Sequence, residues 1–191
     1  MIENIKQEKL AKAKKMMLLF GLLSITMTFA GLTSAYIVSK GRPDWTMDFN
    51  LPSEFFYSTF IILLSSLTLF VSKRKLNSGK SINSVFNWTL VTFLLGIVFI
   101  VFQFIGFNNI IDQGYYFAGA QSAIKTSFIY VLSFLHIVHL VAGLIVLIVL
   151  MFNIKKGKYV DNNLGFNLGS NFWHFLDFLW LYLFSFFYFF G

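Results

Sequence analysis

No cysteine occurs among the 191 residues, which excludes disulfide staples, thiolate metal sites and cysteine nucleophiles. Proline is almost as scarce. Pro43 and Pro52 both lie in the stretch between the first two apolar segments, so no apolar segment is broken by one. Charge is thin as well: 12% of residues are charged, against about 25% in an average soluble domain. The 8 acidic residues against 15 basic ones leave a formal charge of +7, a balance that in a soluble chain would suggest a nucleic-acid partner. What is abundant is apolar bulk, with 57% hydrophobic residues, 26 phenylalanines and a mean hydropathy of +0.72. A single water-soluble core of this length does not enclose so much, and lipid is the expected solvent.

Five apolar runs carry the chain, over residues 16–38, 55–71, 85–107, 126–152 and 170–190. The first follows Lys6, Lys9, Lys12, Lys14 and Lys15 and resembles a signal peptide only superficially. At 23 residues it exceeds the 7–15 of a secretory apolar region, and it reads as a retained spanning helix. The connections are too short to form further domains. The expected fold is therefore all-α, one integral membrane bundle of five transmembrane helices. The N-terminal segment and the second and fourth connections hold 5, 4 and 3 basic residues, while only Lys40, Arg42 and Lys125 fall on the other side. By the positive-inside rule the N-terminus faces the cytoplasm and the C-terminus lies outside. The charge is then an orientation signal, and no nucleic-acid partner is expected. In the first outward connection, Gly41 to Asp44 reads as a turn, and Pro52, Ser53 and Glu54 as a helix start.

Polar groups inside the runs are few, and in lipid each is costly, so they carry most of the information. His136 and His139 lie three apart on one face of the fourth span, with Gly143 a turn further on; His174 and Asp177 repeat that spacing on the fifth, between Trp173 and Trp180. These are all three histidines. Asp177 is the only acid well inside a span, and His139 or His174 on a facing helix would satisfy it. Packing competes here with three uses: axial ligation of one b-type haem, a zinc or iron site built from the three histidines and Asp177, and a proton relay. The bland reading is a hydrogen-bond cluster fixing how spans four and five pack. Gln103 in the third span wants a partner on a neighbour. Small residues at Ser24, Thr28, Gly31 and Ala35 permit close helix approach on the first span, and Ser65 and Ser66 do similar work on the second. A proton-coupled transporter is disfavoured by an odd span number and uninterrupted helices.

At this point the segments resemble one family. FIYVLSFLHIVHLVAG (128–143) is similar to the helix of subunit III of the haem-copper respiratory oxidases, cytochrome c and quinol oxidase types, that carries two histidines three apart. WHFLDFLWLYLF (173–184) resembles that family's last helix, with Trp173, His174, Asp177, Trp180 and Leu181 on its characteristic positions. Weaker agreement comes from WTLVTFLLGIVFIVFQ (88–103), through Gly96, Phe99 and Gln103, and from LPSEFFYSTFIILLSSLTL (51–69). The likeness covers the whole chain in the short, five-span bacterial form. Two departures stand out: Ile25 follows Ser24 where the family usually has glutamate, and Ser58 precedes Thr59 where asparagine is more common.

The resemblance implies an accessory subunit of a bacterial cytoplasmic (inner) membrane oxidase, not an enzyme by itself and holding no cofactor of its own. Haems and copper would sit in subunits I and II, its expected partners, while this chain packs beside subunit I, binds phospholipid and helps sustain proton uptake. His136, His139, His174, Asp177, Trp173, Trp180 and Gln103 are then structural or lipid-contact residues. None is expected to be catalytic or to bind metal. The alternative is a stand-alone membrane haem or metal redox protein using its own histidines.

Overall fold

The structure is a computed structural model that describes residues 2–42, 45, 51–79, 81–117, 124–159 and 162–190. Its helices are α1 (Ile2–Ser39), α2 (Glu54–Asn77), α3 (Ile82–Asp112), α4 (Ile124–Lys155) and α5 (Leu164–Phe190), all long and apolar enough to cross a membrane. The five expected spans are thus all present, and every helix overruns its apolar run. Lipid thickness limits the apolar run, not the helix, whose hydrogen bonds continue wherever the residues favour it. α1 continues back through the lysine-rich segment, whose Lys, Glu, Gln and Ala are good helix formers. α5 starts six residues before its apolar run, with the Leu164 amide donating to Asn162 Oδ1 at 2.9 Å.

α2, α3, α4 and α5 form a closed ring in which each packs on the next and α5 returns to α2; α1 lies outside it, against α4 and α5. Glycines with positive φ follow α2, α3 and α4, at Gly79, Gly114 and Gly157. Their amides bond to Leu76, Ile111 and Ile154 carbonyls at 3.2, 2.8 and 2.9 Å, which ends each helix as a left-handed residue does. α2 starts at Glu54 as read from the sequence, although Ser53 makes no side-chain cap and the Phe55 amide bonds to the Pro52 carbonyl instead. The turn read at Gly41 to Asp44 falls partly outside the described residues. Lys125, read as part of an outward connection, sits in the first turn of α4 and is buried.

Close approach within the ring depends on glycines, among them Gly169 of α5, where a Cβ would lie 2.9 Å from Leu150 Cδ1 of α4. A Cβ on Gly96 of α3 would lie 2.7 Å from Trp173 Cη2, one on Gly143 of α4 2.8 Å from Leu176 Cδ1, and one on Gly106 2.8 Å from Phe55 Cε2. The large rings of α2 and α5 therefore fill space that α3 and α4 vacate. Trp173, Trp180, Phe55 and Phe99 are all buried in the resulting core.

Candidate functional site

α2 is the polar spine of the ring. Ser58, Ser65 and Ser72 recur every seven residues, as do Thr59 and Ser66, a period that keeps them along one stripe of a packed helix. Most of these hydroxyls first satisfy their own helix. Ser58 and Thr59 donate to the Phe55 carbonyl at 3.0 and 2.7 Å, and Ser65 to that of Ile62 at 2.7 Å. Each oxygen then accepts from another helix. Trp180 Nε1 donates to Thr59 Oγ1 at 2.9 Å, Trp173 Nε1 to Ser65 Oγ at 3.1 Å and Gln103 Nε2 to Ser58 Oγ at 2.8 Å. Towards the other end of α2, Thr68 shares a bond with Thr92 at 2.8 Å and Ser72 with Thr89 at 2.9 Å. In lipid such bonds replace the hydrophobic drive that holds soluble helices together.

The histidines are dispersed among separate partners. His174 Nδ1 shares a 2.7 Å hydrogen bond with Ser66 Oγ, again tying α5 to α2. His139 Nδ1 lies 2.7 Å from the Leu135 carbonyl of its own helix, and its ring meets Phe29 of α1 edge-on at 5.7 Å. His136 is fully buried, its ring 5.2 Å from Trp180 and 5.9 Å from Phe99, and neither nitrogen has a hydrogen-bond partner among the described residues. Asp177 is 2% exposed; the Ser66 hydroxyl lies beside its carboxyl but makes its close bond to His174, and neither carboxyl oxygen has a well-formed hydrogen bond among the described residues.

These positions correct two expectations. Neither His139 nor His174 satisfies Asp177, because one is turned to its own backbone and the other to Ser66. The hydrogen bonds of this region run from α5 to α2, whereas α4 and α5 meet through rings and glycines; the hydroxyls that α5's side chains reach are on α2, while those of Ser133 on α4 and Ser170 on α5 are buried without a partner among the described residues. Among the described residues no three of His, Asp and Glu converge in a way that could hold a metal ion. His136, Trp173, Trp180, Gln103 and Asp177 do share the ring interior. The sequence reading missed Thr59, Thr68, Ser72, Thr89 and Thr92 as cross-helix partners; the seven-residue recurrence of hydroxyls on α2 was the signal that could have found Thr59 and Ser72, and Thr68 and the α3 threonines had none.

The family profile described as "Cytochrome c oxidase subunit III" matches residues 9–191. The chain is 39% identical over 142 residues to "Cytochrome bo(3) ubiquinol oxidase subunit 3" of Buchnera aphidicola subsp. Baizongia pistaciae, covering 70% of this chain and 67% of that one. The protein of the same name from Pseudomonas aeruginosa is 33% identical over 169 residues, 86% of this chain and 78% of that one. "Cytochrome c oxidase subunit 3" of Bacillus sp. PS3 is 30% identical over 165 residues, 84% and 77% of the two chains. A profile matched almost end to end, relatives matched over most of their own length and a ring of helices carrying both of the motifs read from the sequence agree: the chain belongs to the cytochrome c oxidase subunit III family, in its five-helix bacterial form.

Proposed function

We propose that this chain is the accessory, non-redox subunit of a haem-copper terminal oxidase in a bacterial cytoplasmic membrane, with its N-terminus cytoplasmic and its C-terminus outside. It packs beside the haem-bearing subunit I, with subunit II in the same complex, and its work is indirect. A rigid ring of helices keeps the flank of the catalytic subunit ordered, carries phospholipid there and so supports assembly and sustained proton uptake. The observation that supports this best is the use of the ring's polar side chains. Trp173, Trp180, His174 and Gln103 are spent on bonds to α2, and what faces outward is apolar, including Phe56, Phe60, Leu67 and Phe70 on α2. Such a molecule offers surface to a membrane partner.

Mild detergent extraction followed by affinity purification tests the reading. A larger haem-containing membrane subunit is expected to co-purify, and this chain separated from it is expected to give no Soret band. A Soret band retained by the separated chain and abolished by His136→Ala or His174→Ala would replace this reading with a redox protein that binds its own haem.

A further inference from the structure

Three buried polar side chains lie at one level of the ring, in the half where α3 ends and α4 begins. Gln103 of α3 donates through Nε2 to Ser58, but its Oε1 has no partner among the described residues. The same holds for Ser133 Oγ of α4 and for both nitrogens of His136, one turn further along that helix. All three side chains are at most 1% exposed. Their heights match because α3 and α4 run antiparallel, with Phe107 against Tyr130 at 5.3 Å and Phe99 against His136 at 5.9 Å. Gln103 lies between the two phenylalanines on α3, and Ser133 between Tyr130 and His136 on α4. The amide and the hydroxyl therefore fall opposite each other, between two ring contacts that close the space above and below.

The chemistry of the place selects its occupant. Gln103 Oε1 accepts, the Ser133 hydroxyl both accepts and donates, and an imidazole always has an N–H to give. A metal ion does not suit it, since no three of His, Asp and Glu converge among the described residues. Asp177 belongs elsewhere, beside Ser66 on the seam of α5 with α2. What fits is small, uncharged and able to donate and accept at once. Room is provided by Ser133, the smallest of the buried side chains of α4 between Thr126 and Leu140. Buried polar groups left over by the protein are the usual partners of internal water, which makes about three hydrogen bonds.

We propose that the ring holds one internal water molecule between α3 and α4, accepting from the N–H of His136 and donating to Gln103 Oε1 and Ser133 Oγ. The site gives α4 a polar attachment at the depth where it otherwise meets its neighbours through rings. Tyr130, whose hydroxyl donates to the Phe107 carbonyl at 3.3 Å, ties α4 to α3 nearer the helix end. The water adds a second tie and, through Gln103 Nε2 and Ser58, carries it on to α2. The inference concerns the ring alone and stands whatever complex the chain belongs to.

Water-edited solid-state nuclear magnetic resonance tests it, on the full-length chain carrying isotope-labelled histidine in lipid bilayers. The His136 signal is identified by its loss in His136→Phe. Magnetisation is expected to pass from water protons to the His136 ring N–H in the wild type, although that residue is 0% exposed. Ser133→Val removes the hydroxyl and fills the space, and is expected to abolish the transfer. Ser133→Ala keeps the space and should preserve the transfer at reduced strength. Ser24→Val, on the exposed part of α1, is expected to change nothing. A wild-type chain whose His136 receives no transfer, or whose ring bonds directly to Gln103, would overturn the proposal. So would a folded Ser133→Val chain that receives as much as the wild type, or a Ser133→Ala chain that receives none. If Ser133→Val does not fold, the wild type and Ser133→Ala decide the matter between them.

Discussion

α1 and the ring of α2–α5 use the same small residues for opposite ends. In the ring, a Cβ on Gly96 or Gly143 would collide with Trp173 or Leu176, and the glycine exists so that two helices can touch. On α1, a Cβ on Gly21 or Gly31 would meet nothing within 4 Å, and Ser24, Thr28 and Ala35 beside them are exposed. Only 11% of the most apolar part of α1 is buried, against 44% for α5. α1 is held to the ring by few polar contacts, Thr33 Oγ1 with Tyr182 Oη at 2.8 Å and the Tyr36 hydroxyl donating to the Phe190 carbonyl at 3.1 Å. A small-residue pattern therefore has no fixed meaning in lipid: it marks a helix contact only when a large side chain on a neighbour reaches it.

Substitutions break this contrast in a graded way, each read by reversible unfolding in mixed micelles. Trp173→Ala is expected to cost most, about 3–5 kcal/mol, because it empties the space between Gly96 and Gly143 and strips Ser65 of its donor. Gly143→Val should follow at about 1–3 kcal/mol, forcing α4 off α5. Thr59→Val keeps shape but leaves the buried Trp180 Nε1–H without an acceptor, at about 1–3 kcal/mol; adding Trp180→Phe should then cost less than it does in the wild type. Tyr182→Phe, which removes a bond between α5 and α1, should cost only about 0.6 kcal/mol, since Thr33 also bonds to Phe29 and Ala30 carbonyls. Gly31→Leu should leave the isolated chain within about 0.5 kcal/mol. If it nonetheless reduced co-purification with the haem-bearing subunit, the open face of α1 would be a contact surface of the complex. A large loss in the isolated chain would mean that α1 is packed more tightly than its exposure indicates.

The spans were legible because 18 or more apolar residues in a row have few other uses, and the two motifs were legible because His, Trp and Asp are conspicuous among phenylalanines and leucines. The pairing was not. Asp177 and the histidines invite one another on charge grounds, yet the cross-helix bonds went to serine and threonine, which occur too often in membrane helices to stand out. Nor do residue types alone show which glycines touch: Gly31 and Gly96 look alike in the sequence and differ only in whether a tryptophan faces them. The overrun of the helices into the connections escaped for a simpler reason, because apolar runs report hydrocarbon thickness and not helix length.

The self-bonding hydroxyls of α2 bear on how such a chain is made. Ser58, Thr59 and Ser65 already donate to carbonyls of their own helix, so α2 can enter the bilayer alone with those hydrogens satisfied. The indole N–H groups of Trp173 and Trp180 have no such local recourse, since the rigid ring carries its one donor away from the carbonyls of its own helix, and they donate to Ser65 and Thr59 instead. α5, made last, thus arrives with an unmet demand that the earlier helix is already shaped to answer, and the order of synthesis becomes an order of assembly.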